Sequence, residues 1–177
     1  MEIRNKVWEE LKFSDVSVRT VLWYTDRQRR WARWYKFVIA LIASIGAFGF
    51  ILNKIIPFIS SLIIALTSLL KSLFPQFIQS EQELAELDSV GDYYEECKNI
   101  LEQLWYKREK EQISEGQLAD QIFSLIDRGI GKKTKMNRLL RHIPAKIKEK
   151  ISNESDTYLN EVYYNIYPEK IKKENAK

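Results

Sequence analysis

Two uncharged apolar runs, parted by a single lysine, constrain this chain more than any other feature. Phe37 to Asn53 is 17 residues without a charge, Ile55 to Leu70 is 16 more, and only Lys54 lies between them. At 1.5 Å per residue the first run is a helix about 25 Å long. A hydrocarbon core is about 30 Å thick and calls for about 20 residues, with about 17 as the lower edge. Each run can be extended. Trp31, Trp34 and Tyr35 precede the first, as an interfacial aromatic belt would, and the second is followed by Lys71, which can snorkel, and by "SLFPQFI". A helix packed on a water-facing core carries a polar stripe every three or four residues, and neither run contains a charged one. These observations predict an all-α membrane protein. A two-helix transmembrane hairpin occupies 36–74, with spans at about 36–53 and 55–74. N-terminal amphipathic and pre-membrane helices fill 1–35, a cytosolic helical domain fills 76–167, and 168–177 is a flexible tail. A re-entrant hairpin and a buried core hairpin are the competing readings.

Charge sets the expected orientation. Arg27, Arg29, Arg30, Arg33 and Lys36 precede the first run and Lys71 follows the second. Lys and Arg favour the cytoplasmic side, so both termini are expected inside, with a tight turn at Asn53-Lys54 outside. Charged residues fill the first 36 positions, so no cleavable signal peptide is read there.

Outside the runs the sequence reads as helix. Val7, Trp8 and Leu11 share a face of a short first helix, with Ser14 or Ser17 placed to cap the next. The stretch 81–96 holds seven acids and no base, and a bend is expected at Gly91. Ser114 with Gln117 spells a capping box, Leu118, Ile122, Leu125 and Ile126 follow at helical spacing, and Gly129 reads as a stop. From Asp127 to Lys150 there are nine Lys or Arg against two acids, and a final helix carries Leu159, Val162 and Tyr163. The acidic and basic stretches are expected to pair, within or between subunits.

Catalytic chemistry is scarce. His142 is the one histidine, so no His-containing metal triad forms within a chain. "GIGKK" lacks the G-x-x-x-x-G-K-[ST] spacing of a phosphate loop. Cys97 is the one cysteine, which excludes an intrachain disulfide and suits packing on a helix. The reading is a non-enzyme with no cofactor and no metal. Two features point to association instead. Ala43 and Ala47 make the first run smooth enough for helix packing, and Ser61, Ala65, Ser68 and Ser72 form a stripe on the second. That stripe reads either as a helix–helix seam or as the lining of a pore. The basic residues Arg27, Arg29, Arg30, Arg33, Lys132, Lys133, Lys135, Arg138 and Arg141 read as a solvated face, or as contacts to anionic lipid headgroups or to a ligand phosphate. No aromatic interleaving supports specific nucleic-acid binding. A homo-oligomer is expected, because a lone hairpin cannot enclose a channel.

The layout resembles the SLATT family of bacterial two-transmembrane effectors. The resemblance rests on a short helix with Trp8, the arginine-rich "VRTVLWYTDRQRRWARWYKF", the tight hairpin "VIALIASIGAFGFILNKIIPFISSLIIALTSLL", and the acidic "SEQELAELDSVGDYYEECKNILEQLW" before a helical tail. It covers roughly residues 5 to 167. It implies a membrane effector of an antiphage defence system that sits in the inner membrane. The effector would oligomerise to permeabilise or depolarise that membrane and cause cell death or growth arrest. The trigger would come from a separate sensor protein or a nucleotide second messenger. The family offers no catalytic residue to carry over. Members often show a histidine or other polar residue soon after the second span, and "FIQSEQELAEL" has no histidine. The competing function is a non-conducting membrane anchor or adaptor whose cytosolic helices recruit a partner protein.

Overall fold

The computed structural model describes the backbone of residues 2–49 and 56–164, and the side chains of residues 3–44, 64–74 and 78–163. Among them are five α-helices and no strand: α1 (Glu2–Gly49), α2 (Ile56–Phe77), α3 (Glu81–Glu109), α4 (Glu115–Leu139) and α5 (Ala145–Tyr164). The chain divides into two compact units, one of Met1–Tyr24 with Glu86–Lys177 and one of Thr25–Ala85.

The first unit is built on a stripe that α1 carries without interruption. Val7, Leu11, Ser14, Val18 and Val21 recur at alternating steps of four and three, and all are buried. That spacing keeps one side of a helix facing a core. The expected break before Ser14 or Ser17 is absent: α1 passes through both, and both are buried. No Pro or Gly precedes Gly46 to stop the helix. Two clusters share the core. In one, Val7 and Leu11 pack with Leu101, Leu104, Leu118, Ile122 and Leu159. In the other, Val18, Val21 and Tyr24 pack with Leu87, Val90, Tyr94, Met136 and Leu139. Trp8 meets Trp105 at 5.4 Å and Tyr163 at 5.7 Å between ring centroids, and the Arg4 guanidinium lies 5.2 Å from the centre of the Trp105 ring.

Both glycines read as punctuation are close-approach positions instead. α3 runs unbroken through Gly91, where a Cβ would come within 3.1 Å of Val21 Cγ1. α4 runs ten residues past Gly129 to Leu139, because Met136 and Leu139 continue its buried stripe. A Cβ at Gly129 would come within 3.1 Å of the Tyr93 hydroxyl. The Ser114–Gln117 capping box forms as read. The acidic and basic stretches meet within the chain at Glu86, whose carboxylate lies 3.2 Å from Lys135 and 3.6 Å from Arg138.

In the second unit the Tyr35 ring of α1 stacks on Phe74 of α2, centroids 3.6 Å apart. Ser80 and Glu83 form a capping box that the sequence reading overlooked: the Ser80 amide donates to the Glu83 carboxylate at 2.9 Å, and the Glu83 amide donates to the Ser80 hydroxyl at 3.2 Å.

The transmembrane hairpin is corrected by this unit. Among the described residues no helix is long and apolar enough to cross a membrane. The uncharged part of α1 is the thirteen residues from Phe37 to Gly49, and that of α2 is the fifteen from Ile56 to Leu70, closed by Lys71. At 1.5 Å per residue these are about 20 and 22 Å long, against a hydrocarbon core of about 30 Å. The longer runs counted in the sequence include residues from 50–55, which lie outside the described residues, as does the turn expected at Asn53-Lys54. The all-α class stands. The spans at 36–53 and 55–74, the inner-membrane placement with both termini cytoplasmic, and the pore-forming role built on them do not. The tail at 168–177 also lies outside the described residues.

Candidate interaction surface

The second unit holds a groove of about 650 Å³ between α1 and α2. Trp31, Trp34, Tyr35 and Val38 form one wall; Leu70, Leu73, Phe74 and Ile78 form the other; Arg30 borders it. Residue 35 faces residue 74 and residue 38 shares the groove with residue 70, so the two helices run antiparallel. Tyr35–Phe74 stacking consumes one facing row. What remains open is large: Trp31 is 60% and Trp34 64% exposed, and Phe37, Val38, Leu41, Ile64, Leu66, Leu69 and Leu73 are exposed too. The exposed side chains are ordered. Trp31, Trp34, Val38 and Leu41 step by three, four and three along α1, and Leu66, Leu69 and Leu73 step by three and four along α2. Such stripes are what one helix offers another. The Tyr35 hydroxyl is buried and has no hydrogen-bond partner among the described residues.

The stretch of chain that carries this apolar face has charge of one sign. From Arg27 to Ser80 the sequence has no Asp or Glu, while Arg30, Arg33, Lys36 and Lys71 are exposed. Large aromatic side chains beside arginine are the composition of interface hot spots.

The residues singled out from the sequence fall in different places. Ala65, Ser68 and Ser72 are exposed on α2, and Ala43 is exposed on α1. The side chains of Ser61 and Ala47 lie outside the described residues. Of the basic set, Arg30 borders the groove, Arg33 is exposed nearby in the sequence, and Arg27 and Arg29 have interactions of their own. The others belong to the first unit and are partly consumed there. Lys132 donates to the Ser89 hydroxyl at 3.3 Å, Lys133 lies 4.9 Å from the centre of the Phe13 ring, and Lys135 and Arg138 share Glu86. The Arg141 backbone amide donates to the Tyr24 hydroxyl at 3.4 Å.

Sequence reading missed the groove and a buried acid. The signal for the groove was present in "WARWYKF", whose aromatics were assigned to a lipid interface. The acid is Asp15 on α1, 1% exposed. Arg19 Nε lies 2.7 Å and Lys98 Nζ 3.5 Å from its two oxygens. Both cations also face the Tyr158 ring, at 5.6 and 5.4 Å from its centre. The Tyr158 hydroxyl donates to Glu102 at 3.3 Å, so one network ties α1, α3 and α5. It holds charges in mutual contact, and Arg19 and Tyr158 also border an open cleft along α5. Among the described residues no group of three or more His, Cys, Asp or Glu is placed to hold a metal ion. No family model matches the chain, and no curated protein or solved structure shows significant similarity to it.

Proposed function

We propose that this chain is a non-catalytic helical adaptor whose second unit recruits a partner protein by taking one amphipathic helix into the α1–α2 groove. The observation that carries this reading is the groove's two exposed stripes with Trp31 and Trp34 at their head. A contiguous apolar surface of this kind on a folded chain marks a contact site more often than a bare surface. A helix laid between two others buries residues at i, i+3, i+4 and i+7, which the three-and-four spacing of both walls accommodates. From Trp31 to Val38 the wall is about 10 Å long, some two turns of helix.

Charge selects the occupant. A second copy would bring the same cations to a stretch of chain whose charged side chains, Arg30 at the groove and Arg33, Lys36 and Lys71 elsewhere on it, are all basic, and like charges across an interface are costly. A helix with acidic flanks meets those cations favourably. The test uses a fluorescent model peptide with leucine at i, i+3, i+4 and i+7 and glutamate elsewhere, and a control with lysine in place of glutamate. The acidic peptide is expected to bind, to weaken as salt rises, and to lose about tenfold or more in affinity with Trp34→Ala. The lysine control is expected to bind at least about tenfold more weakly. Equal binding of both peptides, no binding of either, or salt-independent dimerisation of the chain with the groove occluded would overturn the reading.

A further inference from the structure

The first unit contains a separate cleft of about 150 Å³ where α1, α3 and α4 meet. Its inner wall is apolar, formed by Phe13, Leu101, Ile122 and Leu125 among others, and its mouth is bracketed by Glu10 and Lys133. Two small polar groups interrupt that wall, Ser14 at 3% and Cys97 at 5% exposure. The Tyr93 hydroxyl, also at the wall, is already spent on the Leu125 carbonyl at 2.9 Å. The Ser14 hydroxyl borders the cleft from α1 and can turn to donate to or accept from a bound molecule.

Water is a poor occupant of such a space. Each water takes about 30 Å³ and wants two to four polar partners, whereas dry apolar cavities of about this size admit a single aromatic ring. Away from the Glu10 and Lys133 mouth, the Ser14 hydroxyl, the Cys97 thiol and the Tyr93 oxygen offer few partners for the several waters that would fill the volume. A charged ligand fares no better, because the inner wall offers no counter-charge. Burial pushes the Cys97 thiol's pKa up, so it stays neutral. We propose that this cleft binds a small uncharged aromatic molecule bearing a hydroxyl, with Ser14 as its hydrogen-bond partner and Phe13, Ile122 and Leu125 around the ring. The site is independent of the groove in the second unit.

Phenol is the probe and benzene the control, titrated into the full-length chain and followed by amide chemical shifts. Phenol is expected to bind saturably, with shifts centred on the cleft residues of α1, α3 and α4. Ser14→Ala should weaken phenol about tenfold, the effect of one lost hydrogen bond, and leave benzene unchanged. Ile126→Phe, which fills the cleft from its half-buried edge, should abolish both while the melting temperature is kept. Absence of saturable phenol binding, equal phenol affinity in Ser14→Ala and the unmodified chain, or undiminished binding in a folded Ile126→Phe variant would each overturn the proposal.

Discussion

Replacing Asp15 with asparagine should destabilise the first unit by about 2–3 kcal/mol, and the size follows from what surrounds it. Removing one member of a buried ion pair typically costs about 3–5 kcal/mol, because the remaining charge stays desolvated. Here the two cations are not equally trapped. The Arg19 side chain is 31% exposed and has a second carboxylate, Glu154, at 3.9 Å. Lys98 is 18% exposed, and Asp15 is the carboxylate beside it. Among the described residues its ammonium keeps the Tyr158 ring, and a cation–π contact returns about 0.5–2 kcal/mol. The expected loss therefore sits below the usual range, carried mostly by Lys98. Urea denaturation followed by circular dichroism measures it. With m of about 1–3 kcal/mol per molar, the midpoint should fall by roughly 1–2 M. Asp15→Leu combined with Lys98→Met removes both charges and should recover at least half of that loss. A loss under about 0.5 kcal/mol in Asp15→Asn, or a double variant less stable than the single, would refute the assignment of this network as a desolvated pair.

Three further outcomes are expected. Stability should fall as pH rises from about 10 towards 12: burial raises the Tyr94 pKa from 10 to about 12, and burial also raises those of Tyr93 and Cys97, so the unfolded chain releases these protons first. Tyr94 alone contributes roughly 2–3 kcal/mol to this loss, which urea midpoints measured across that range would show and a flat profile would contradict. Gly131→Ala, with no atom within 4 Å of the added carbon, should stabilise α4 by about 0.5–1 kcal/mol, whereas Gly129→Ala should gain nothing because its Cβ meets a Tyr93 hydroxyl held by Leu125; equal shifts in melting temperature would show that the contact yields freely. Ser114→Ala should cost about 1 kcal/mol through loss of the capping bond, read as a lower urea midpoint, and an unchanged midpoint would mean that α4 does not depend on its cap.

The helical class, the capping box at Ser114 and the buried stripe of α4 were legible because they depend on neighbours three and four residues away. Gly91 and Gly129 were misread because their role depends on Val21 and Tyr93, partners far off in sequence. A glycine that admits a neighbour and a glycine that ends a helix look alike in a string of letters. Asp15 was unreadable for the same reason: nothing local announces that Lys98, 83 residues on, completes its pairing. The hairpin failed differently. Charge-free length was counted through residues that no described helix includes, and a few residues decide whether a run reaches the span a bilayer needs. The cavity at Ser14 carries no sequence signature, since its walls come from three helices.

The two units handle apolar surface in opposite ways, and that contrast carries the functional argument further than any single residue. In the first unit the stripes of α1, α3, α4 and α5 are consumed in two clusters, and the large apolar side chains left outside, Leu22, Tyr106, Phe123 and Ile130, stand apart along the sequence. Scattered exposure of that sort is ordinary and calls for no partner. In the second unit an antiparallel pair of helices can bury only the row each turns to the other, here seen in Tyr35 against Phe74. The rows beside it, Trp31–Trp34–Val38–Leu41 and Leu66–Leu69–Leu73, keep the spacing of buried stripes while remaining exposed. Random surface substitution would not preserve a three-and-four step on both helices. In the proposed complex a third helix would complete the packing that this spacing anticipates, and the absence of any acid from Arg27 to Ser80 would leave acidic contacts for that helix to supply.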